Sequence, residues 1–563
     1  MGSFSSFIKS HTQTDGRKSR KRLCTLCVSL ILLIALIVGV VLVRALVHRS
    51  VSDDAPAKST SPAEVVKSIC SLTLYPKSCF SSLISSNSID PAAIFQFSLT
   101  VASKSLEAIS NFPEAYAKRL NGADGQLVKD ALGVCSAVLK DAFESLNDVV
   151  SAKSLQDVGD LKTWLSAVLT NQDTCLDALE EAEVAFAGEI ELLMRNATEF
   201  ASNSLAIVTK LLAVVDGGFG DPNHRRRLLE EPGGFPEWMT AADRRMLLGN
   251  NAAVKADVVV AKEGPVKTIN EALAKVKKES DKRYVIQVNA GEYKENLVVN
   301  KSFWNVMIVG AGISKTIITG SMNFVDGTPT FHTPTVAVAG RGFIARDLTI
   351  RNTAGPEKHQ AVAFRSGSDF SVIYRCSFEG FQDTLYAHSN RQFYKECDIT
   401  GTIDFIFGNA AVVFQNCNIY PRQPMLNQFN TITAQGKKDP NQITGIAIHK
   451  CVIKSFDNVT ADTYLGRPWK AFSTTVIMKT NISNIVDPKG WIPFGGLNTV
   501  PPKTITYGEY LNSGLGANTT NRVKWEGYKV SLTAAEASKY TVKSFIGGMN
   551  WLDATGVTYD PNL

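Results

Sequence analysis

A short motif that recurs in the C-terminal half constrains the fold of this chain most strongly. Each copy places a cysteine two residues before Ile or Phe, and the copies follow one another at intervals of 20 to 34 residues. They are YRCSF (Tyr374–Phe378), KECDI (Lys395–Ile399), QNCNI (Gln415–Ile419) and HKCVI (His449–Ile453). Short Val-, Ile-, Phe- and Thr-rich runs alternate around them with Gly, Asn and Asp turns. Such irregular repeats with one strong strand each predict a solenoid, and the β-type composition predicts a right-handed parallel β-helix.

The same repeat aligns two aspartates. Asp383 lies seven residues after Cys376, and Asp404 lies seven residues after Cys397. If the cysteines stack on adjacent coils, the two carboxyl groups face the same way within about 5 Å. One then keeps its proton while the other stays charged, which gives an acid beside a nucleophile, and Gln382 offers an amide for an oxyanion. The register alone leaves open a purely structural ladder of turn residues.

Stacked cysteines also raise the question of disulfide bonds. Neighbouring strands lie about 4.8 Å apart, and we hypothesise the pairs Cys376–Cys397 and Cys417–Cys451. A column of free buried thiols is the alternative, because free cysteine is among the most buried residue types.

The N-terminal region predicts entry into the secretory pathway. Residues 23–43 form an apolar run long enough to span a bilayer, and the basic residues 17–22 before it favour a signal anchor with residues 1–22 in the cytoplasm. The eight cysteines after the run suit an oxidising compartment. Candidate glycosylation sequons stand at Asn196, Asn300, Asn458, Asn481 and Asn518.

Residues 64–216 have helical spacing. Asp160–Leu179 places its apolar residues on one stripe, and several such stretches predict an antiparallel helical bundle. A disulfide between Cys70 and Cys79 could close a short loop, and one between Cys135 and Cys175 would then tie two helices together. The linker 217–250 follows.

Two basic motifs in that linker, RRRLL and RRMLL, suggest processing near Arg227 and Arg245. A solvated charge run is the alternative. Residues 51–248 contain 17 basic and 27 acidic residues, whereas residues 249–563 contain 34 and 25. The acidic part could therefore be the partner of the basic part within one chain, unless the two charge biases are unrelated.

Longer segments resemble a known family. GFQDTLYAHSNRQFY (Gly380–Tyr394) and GTIDFIFGNAAVVFQNC (Gly401–Cys417) resemble the two signature segments of plant pectin methylesterases, and YLGRPWKAFSTTVIM (Tyr464–Met478) matches a further block. Residues 64–216 are similar to the inhibitor-like pro-region of that family, and the basic motifs resemble its processing sites. The resemblance implies a catalytic β-helix at residues 251–563 preceded by a pectinesterase-inhibitor-like bundle.

The resemblance also implies roles for individual residues. Asp404 matches the nucleophile, Asp383 the proton donor and base, and Gln382 the stabiliser of the transition state. Matching substrate-binding positions are Thr330, Gln360, Arg467 and Trp469. The family implies no metal or organic cofactor, and the sequence contains no GxSxG or HExxH motif.

The implied activity is demethylesterification of cell-wall homogalacturonan with release of methanol. The expected partners are methylesterified homogalacturonan, an inhibitor-type helical bundle (its own or a separate protein), a subtilisin-like processing protease and, before processing, the membrane; nucleic acid is not expected. The precursor would be membrane-anchored in the secretory pathway and the enzyme would act in the cell wall, with the pro-region autoinhibitory until processing. Two alternatives are another pectin-active β-helix enzyme and a protein that inhibits other pectinesterases.

Overall fold

The computed structural model describes residues 61–120, 125–151, 158–212, 255–496 and 498–563. The predicted anchor at residues 23–43 and the linker with Arg227 and Arg245 lie outside these ranges. Within them, no helix has both the length and the apolar character needed to cross a membrane. Residues 62–563 form one compact unit, in which a helical region packs against a β-helix.

The N-terminal part of this unit is the helical bundle that the sequence predicts. Its helices are α1 Pro62–Cys70, α2 Pro76–Leu83, α3 Pro91–Ile109, α4 Phe112–Ala117, α5 Gln126–Ser151, α6 Val158–Glu181 and α7 Ala187–Ile207. Helix α3 begins where the Asp90 carboxylate accepts the N–H groups of Ala92 and Ala93, and Pro91 occupies the first turn, where no donor is needed. The predicted disulfides Cys70–Cys79 and Cys135–Cys175 are both present.

The C-terminal part consists of 24 short strands, all paired in parallel. They are β1 Val258–Val260, β2 Tyr284–Val288, β3 Gly291–Lys294, β4 Leu297–Val299, β5 Val306–Val309, β6 Thr316–Gly320, β7 Val336–Val338, β8 Ile344–Asn352, β9 Phe364–Ser366, β10 Ser371–Glu379, β11 Leu385–Ala387, β12 Arg391–Lys395, β13 Asp398–Gly401, β14 Ile406–Gly408, β15 Ala411–Gln415, β16 Asn418–Pro421, β17 Asn430–Gln435, β18 Gly445–His449, β19 Val452–Ile453, β20 Thr463–Pro468, β21 Thr474–Met478, β22 Asn481–Ile482, β23 Thr506–Tyr510 and β24 Tyr528–Lys529. Short helices α8 Ile269–Leu273, α9 Ala534–Ala537 and α10 Val542–Phe545 flank them.

The strands form two sheets around one apolar core. Seven of them (β4, β7, β9, β11, β14, β17 and β20) make a continuous sheet on one side, and the other seventeen make a second sheet. The core inside the coil comes entirely from residues between Val258 and Tyr528. The predicted parallel β-helix is therefore confirmed, while the right-handed sense of its coil stays a prediction. All five sequon asparagines are exposed on the surface.

The larger sheet bends at a column of residues with left-handed backbone conformation. Arg375, Glu396, Asn416 and Lys450 have φ angles of 50°, 54°, 55° and 55°, and each directly precedes a motif cysteine. Strand pairing aligns Ser377 with Asp398, Asp398 with Asn418 and Asn418 with Val452, one residue after each cysteine. The repeated motif thus marks the bend on four successive coils, and the cysteines stack as the sequence predicts.

The hypothesis of disulfides Cys376–Cys397 and Cys417–Cys451 is wrong, because all four cysteines are free and buried. Side chains in register on parallel strands keep the strand spacing of about 4.8 Å, whereas a disulfide needs Cβ atoms that converge to about 3.8 Å. Each thiol instead contacts main-chain oxygens; the Cys397 Sγ, for example, lies 3.5 Å from the carbonyl oxygen of Ile373. Burial raises the pKa of the Cys376 thiol to about 12, so this thiol stays protonated and unreactive.

Alkylation of the denatured, unreduced protein should therefore label the four β-helix cysteines and none of the four bundle cysteines. Peptide mapping by mass spectrometry would locate the labels, and a fully reduced sample, in which the four bundle cysteines are labelled as well as the four β-helix cysteines, is the control. Linked peptides containing Cys376 and Cys397, or Cys417 and Cys451, would contradict the column of free thiols.

Candidate active site

Two aspartates stand side by side on the seven-stranded sheet. Strand pairing aligns Leu385 with Ile406 and Tyr386 with Phe407, an offset of 21 residues. The same offset relates Cys376 to Cys397 on the other sheet, and it places Asp383 beside Asp404 at the entrances of β11 and β14. The register that the sequence predicts for this pair is confirmed.

Both aspartates adopt the left-handed backbone conformation, with φ of 63° at Asp383 and 50° at Asp404. Aspartate is enriched several-fold among the residues found in this region, and such positions occur disproportionately at functional sites. The main-chain N–H of Asp383 donates to the carbonyl oxygen of Ile403 on the next coil. The turn is thereby fixed, and the side chains of both aspartates reach the same cavity.

Asp404 is held by a two-pronged ion pair with Arg467, which lies on β20. The Arg467 Nε is 2.8 Å from Oδ1, and Nη2 is 2.6 Å from Oδ2. Burial alone would lower the pKa of Arg467, but the Asp404 carboxylate outweighs it and raises that pKa. The Arg467 Nη1 also donates to the carbonyl oxygen of Phe494 at 3.2 Å. Two parallel charge-assisted bonds of this kind fix both the charge and the orientation of a carboxylate.

Thr431, which the sequence analysis missed, holds Asp404 from the other side. The Thr431 hydroxyl donates to Oδ1 of Asp404 at 2.6 Å, and the oxygen of this hydroxyl accepts the main-chain N–H of Asp404 at 2.8 Å. Thr431 lies on β17, 27 residues from Asp404 along the chain. The repeat spacing could have found it, since β17 pairs with β14 in the coil that follows.

Asp383 has the opposite environment. Burial raises its pKa well above the ordinary value, and the charges of Asp404 and Glu181 raise it further, while Arg467 opposes them. Asp383 therefore keeps its proton where Asp404 is a clamped carboxylate. Adjacent carboxyl groups in two such different environments can act as acid and nucleophile.

The other predicted site residues share one cavity of about 530 Å³ with the two aspartates. They are Gln360, Gln382, Thr330, Arg467 and Trp469. The Trp469 ring lies 6.2 Å from the Phe407 ring and covers Gly436, where a Cβ atom would come within 2.8 Å of it. The structure thus brings all seven predicted site residues together. Among the described residues, no cluster of three or more His, Cys, Asp or Glu side chains could hold a metal ion.

The opposite wall of this cavity belongs to the helical bundle. Helix α6 contributes Thr174, Asp177, Ala178, Glu180 and Glu181. Glu181 accepts the main-chain N–H of Thr330 at 3.0 Å and also its hydroxyl. Asp177 pairs with Lys470 at 2.5 Å. Glu181 and Asp177 thus occupy donors that line the same cavity as Asp383, and the bundle closes the cavity on the side opposite the two aspartates.

Further contacts hold α6 on the β-helix beyond the cavity. Arg391 bridges Asp160 of the helix and Asp369 of the coil, each at 2.6 Å. The Thr174 hydroxyl lies 2.9 Å from Nε2 of His388, whose pKa burial lowers well below its usual value. The bundle core is also continuous with apolar residues on the outer face of the seven-stranded sheet: Phe331, Val362, Tyr386, Phe407 and Ala434. Polar and apolar contacts therefore seat the bundle over both aspartates.

Comparisons with known proteins agree with this architecture. The pectinesterase family matches residues 257–549, and the plant invertase/pectin methylesterase inhibitor family matches residues 64–207. Pectinesterase 3 of Phaseolus vulgaris is 54% identical over 530 residues, covering 91% of this chain and 89% of its own, and pectinesterase 1 of Arabidopsis thaliana is 52% identical over 530 residues, covering 89% of each. The solved pectin methylesterase from carrot shares 48% identity with a TM-score of 0.54, covering 56% of this chain and 100% of its own.

A β-helix with paired aspartates, joined to an inhibitor-type helical bundle, defines a carboxylic ester hydrolase with an attached pro-region. The chain belongs to the pectinesterase family.

Replacement of Thr431 by valine should lower kcat for ester hydrolysis by roughly 10- to 100-fold, because it removes a hydrogen bond to a charged group and leaves the Asp404 N–H unpaired. KM should change little, since Thr431 does not line the cavity. Methanol release from methylesterified pectin measures both constants. Thr431→Ser keeps the hydroxyl and should retain most activity; equal losses in the two variants would contradict a role for the hydroxyl.

Proposed function

We propose that this protein demethylesterifies homogalacturonan, using Asp404 as nucleophile and Asp383 as general acid and base. The observation that carries this proposal is the Arg467-clamped carboxylate of Asp404 beside a carboxyl group whose environment keeps it protonated. The family membership supplies the reaction class, and the names of the relatives, pectinesterase and pectin methylesterase, support a methylesterified pectin as the substrate.

The proposed reaction has two steps. A carboxylate oxygen of Asp404 attacks the carbonyl carbon of the methyl ester, and the tetrahedral intermediate collapses as Asp383 gives its proton to the departing methoxide. Methanol leaves, and an acyl-enzyme anhydride with Asp404 remains. Asp383, now charged, takes a proton from water, whose oxygen attacks the acyl carbon. Asp404 leaves as a carboxylate, and the product is a uronic acid that loses its remaining proton to solvent.

The surrounding residues fit the charge that develops. The oxyanion of each tetrahedral intermediate needs donors that are already in place, and the side-chain amides of Gln382 and Gln360 line the same cavity. Trp469 offers a broad apolar face for a sugar ring, as aromatic side chains with one polar group commonly do at binding sites. The Asp404 carboxylate loses its charge when the acyl-enzyme forms and regains it when the acyl-enzyme is hydrolysed. Arg467 stays beside Asp404 throughout, because its guanidinium also donates to the carbonyl oxygen of Phe494.

Substitution of Asp404 by asparagine should abolish turnover, with a loss on the order of 10³-fold or more, because the amide is not a nucleophile and the acyl-enzyme cannot form. Asp383→Asn should lose roughly 10²- to 10⁴-fold through the missing proton transfer. Both are measured as methanol release from methylesterified pectin after the linker has been cut. Circular dichroism checks folding, and Asp398→Asn on the exterior of β13 is a matched control. A wild-type rate in Asp404→Asn would show that another residue is the nucleophile.

The precursor is proposed to enter the secretory pathway with residues 23–43 as an anchor and to be cut within residues 217–250, near Arg227 or Arg245, by a subtilisin-like protease. The mature enzyme would then act in the cell wall. The oxidised cysteine pairs of the bundle and the exposed sequons support a secretory route.

The pro-region is proposed to inhibit the enzyme until this cut. Its helix α6 lies across the cavity, and Glu181 and Asp177 occupy donors that line the same cavity as Asp383. Docking also buries acidic groups: burial raises the pKa of Asp173 to about 6, although Lys438 opposes this rise. Asp173 therefore binds more protons in the docked state than in the separated parts between about pH 4 and pH 6.

The uncut chain should release methanol far more slowly than the cut chain, and the contribution of Asp173 to docking should weaken as pH rises. The raised pKa of Asp173 stabilises docking fully below about pH 4, and this contribution is lost as pH rises through about 6. Dissociation constants of the cut complex across this window, beside Asp173→Asn, measure the effect. The ratio of the wild-type to the Asp173→Asn dissociation constant should rise with pH; a ratio that falls with pH would contradict the role of Asp173.

A further inference from the structure

The strands β10, β13 and β16 end side by side, and the first two of them lead into the turns that carry the two aspartates. Gly380 follows β10 and precedes Asp383 by three residues, while Gly401 ends β13 and precedes Asp404 by three residues. Arg422 is the first residue after β16, on the third coil. It therefore lies where one side chain can reach back across both turns.

Arg422 contacts the main chain at three points around the proposed catalytic groups. Its own N–H donates to the carbonyl oxygen of Gly401 at 2.9 Å. Its Nη1 reaches one coil further back and donates to the carbonyl oxygen of Gly380 at 3.2 Å. The Arg422 carbonyl oxygen accepts the Nδ2 of Asn430 at 3.0 Å, and Asn430 directly precedes the threonine that holds the nucleophile. One residue thus joins the three segments that carry the acid, the nucleophile and that threonine.

The guanidinium of Arg422 also covers the ring of Phe381. Its central carbon lies 4.0 Å from the centre of the Phe381 ring and 5.3 Å from that of Phe456, so a cation faces two aromatic rings. Phe381 directly precedes Gln382 and lies two residues before Asp383. The orientation of its main chain therefore sets where both of these side chains enter the cavity.

The turn that Arg422 contacts has a backbone conformation that needs outside support. Asp383 has a φ of 63°, a region that a residue with a side chain keeps only where its surroundings fix it. A Cβ atom at Gly380 would come within 2.8 Å of the Thr384 side chain (2.7 Å to Oγ1), so this position carries no side chain of its own to brace the turn. Support comes from other coils: Ile403 accepts the Asp383 N–H at 3.0 Å, and Arg422 holds the two residues before Gln382.

We propose that Arg422 is a positioning residue for the general acid, because it fixes the turn Gly380–Asp383 so that the Asp383 carboxyl group faces the departing alcohol. The inference rests on the proposed function, since it needs Asp383 to donate a proton. Arg422 does not line the cavity, so its loss should disturb proton transfer and leave substrate binding intact. Misplacement of a catalytic group by about 1 Å costs on the order of 10²-fold in rate.

Two esters with different leaving groups test this inference. Methoxide is a poor leaving group and needs a proton as it departs, whereas trifluoroethoxide leaves with little help from an acid. Homogalacturonan methyl ester and trifluoroethyl ester are each given to the full chain after a cut in the 217–250 linker, and kcat/KM is measured as alcohol release. This constant covers the steps up to departure of the alcohol, in which Asp383 acts as the acid.

Arg422→Met keeps an apolar side chain beside Phe381 and removes the guanidinium. It should lower kcat/KM for the methyl ester by roughly 10- to 50-fold, and for the trifluoroethyl ester by no more than about threefold. Asp383→Asn should show the same preference more strongly, whereas Thr431→Val, which acts on the nucleophile, should lose similar factors on both esters. Circular dichroism checks folding. Should Arg422→Met not fold, Arg422→Lys, which keeps the charge without the planar fork, should show a smaller loss with the same bias towards the methyl ester.

Arg351→Met is the matched control. Arg351 lies on β8, one coil before β10, and its Nε donates to the Glu379 side chain at 2.6 Å. It therefore neighbours the same turn but contacts a side chain at the end of β10 and not the main chain of the turn. Arg351→Met should behave as wild type on both esters.

Equal losses on the two esters in Arg422→Met, or no loss on either, would overturn the inference, and so would the same selective loss in Arg351→Met. Any of these results beside a selective loss in Asp383→Asn would refute the positioning role alone. A cut, folded wild-type protein that releases neither alcohol, or an Asp383→Asn variant without preference between the esters, would refute the proposed function and the inference with it.

Discussion

The lateral pairing of parallel strands between coils governs this structure. Each coil hydrogen-bonds to the next with a fixed offset, and the offset between the coils of Asp383 and Asp404 is 21 residues on both sheets. A shift by one residue would turn the side chains of a strand to the opposite face. Stacked cysteines, bent strands and paired aspartates are therefore consequences of one register. That register also sets the distance between an acid and a nucleophile that lie on different turns of the chain.

Local repetition explains how much of this could be predicted from the sequence. The spacing of the cysteines predicted the length of a coil, and that length predicted that Asp383 and Asp404 lie side by side. Helical periodicity predicted the bundle, which contains the two expected disulfides. The disulfides expected between stacked cysteines failed because being neighbours in register does not make side chains converge. Thr431 was overlooked because an unremarkable threonine acquires its role only through the pairing of β14 with β17.

Contacts between the bundle and the coil lie beyond the reach of sequence periodicity. Glu181 and Thr330 are 149 residues apart, and no repeat relates them. The opposite charges of the two halves indicated only that one part could attract the other, without indicating which residues meet. Only the packing of α6 against the seven-stranded sheet shows that three of its carboxylates face donors in a row, while Phe331, Tyr386 and Phe407 join the apolar core of the bundle.

Burial has opposite consequences at two acidic groups, Asp383 in the cavity and Asp173 on helix α6. At Asp383 burial favours the protonated form that an acid catalyst needs, and removing the bundle would admit water and take away the Glu181 charge. Both changes would lower the Asp383 pKa and bring it closer to the range in which the group can also act as a base. At Asp173 burial disfavours the charged carboxylate, so docking becomes less favourable as that group ionises. Release of the bundle would thus open the cavity and lower the pKa of Asp383 at the same time, because the helix that excludes substrate also excludes solvent from Asp383.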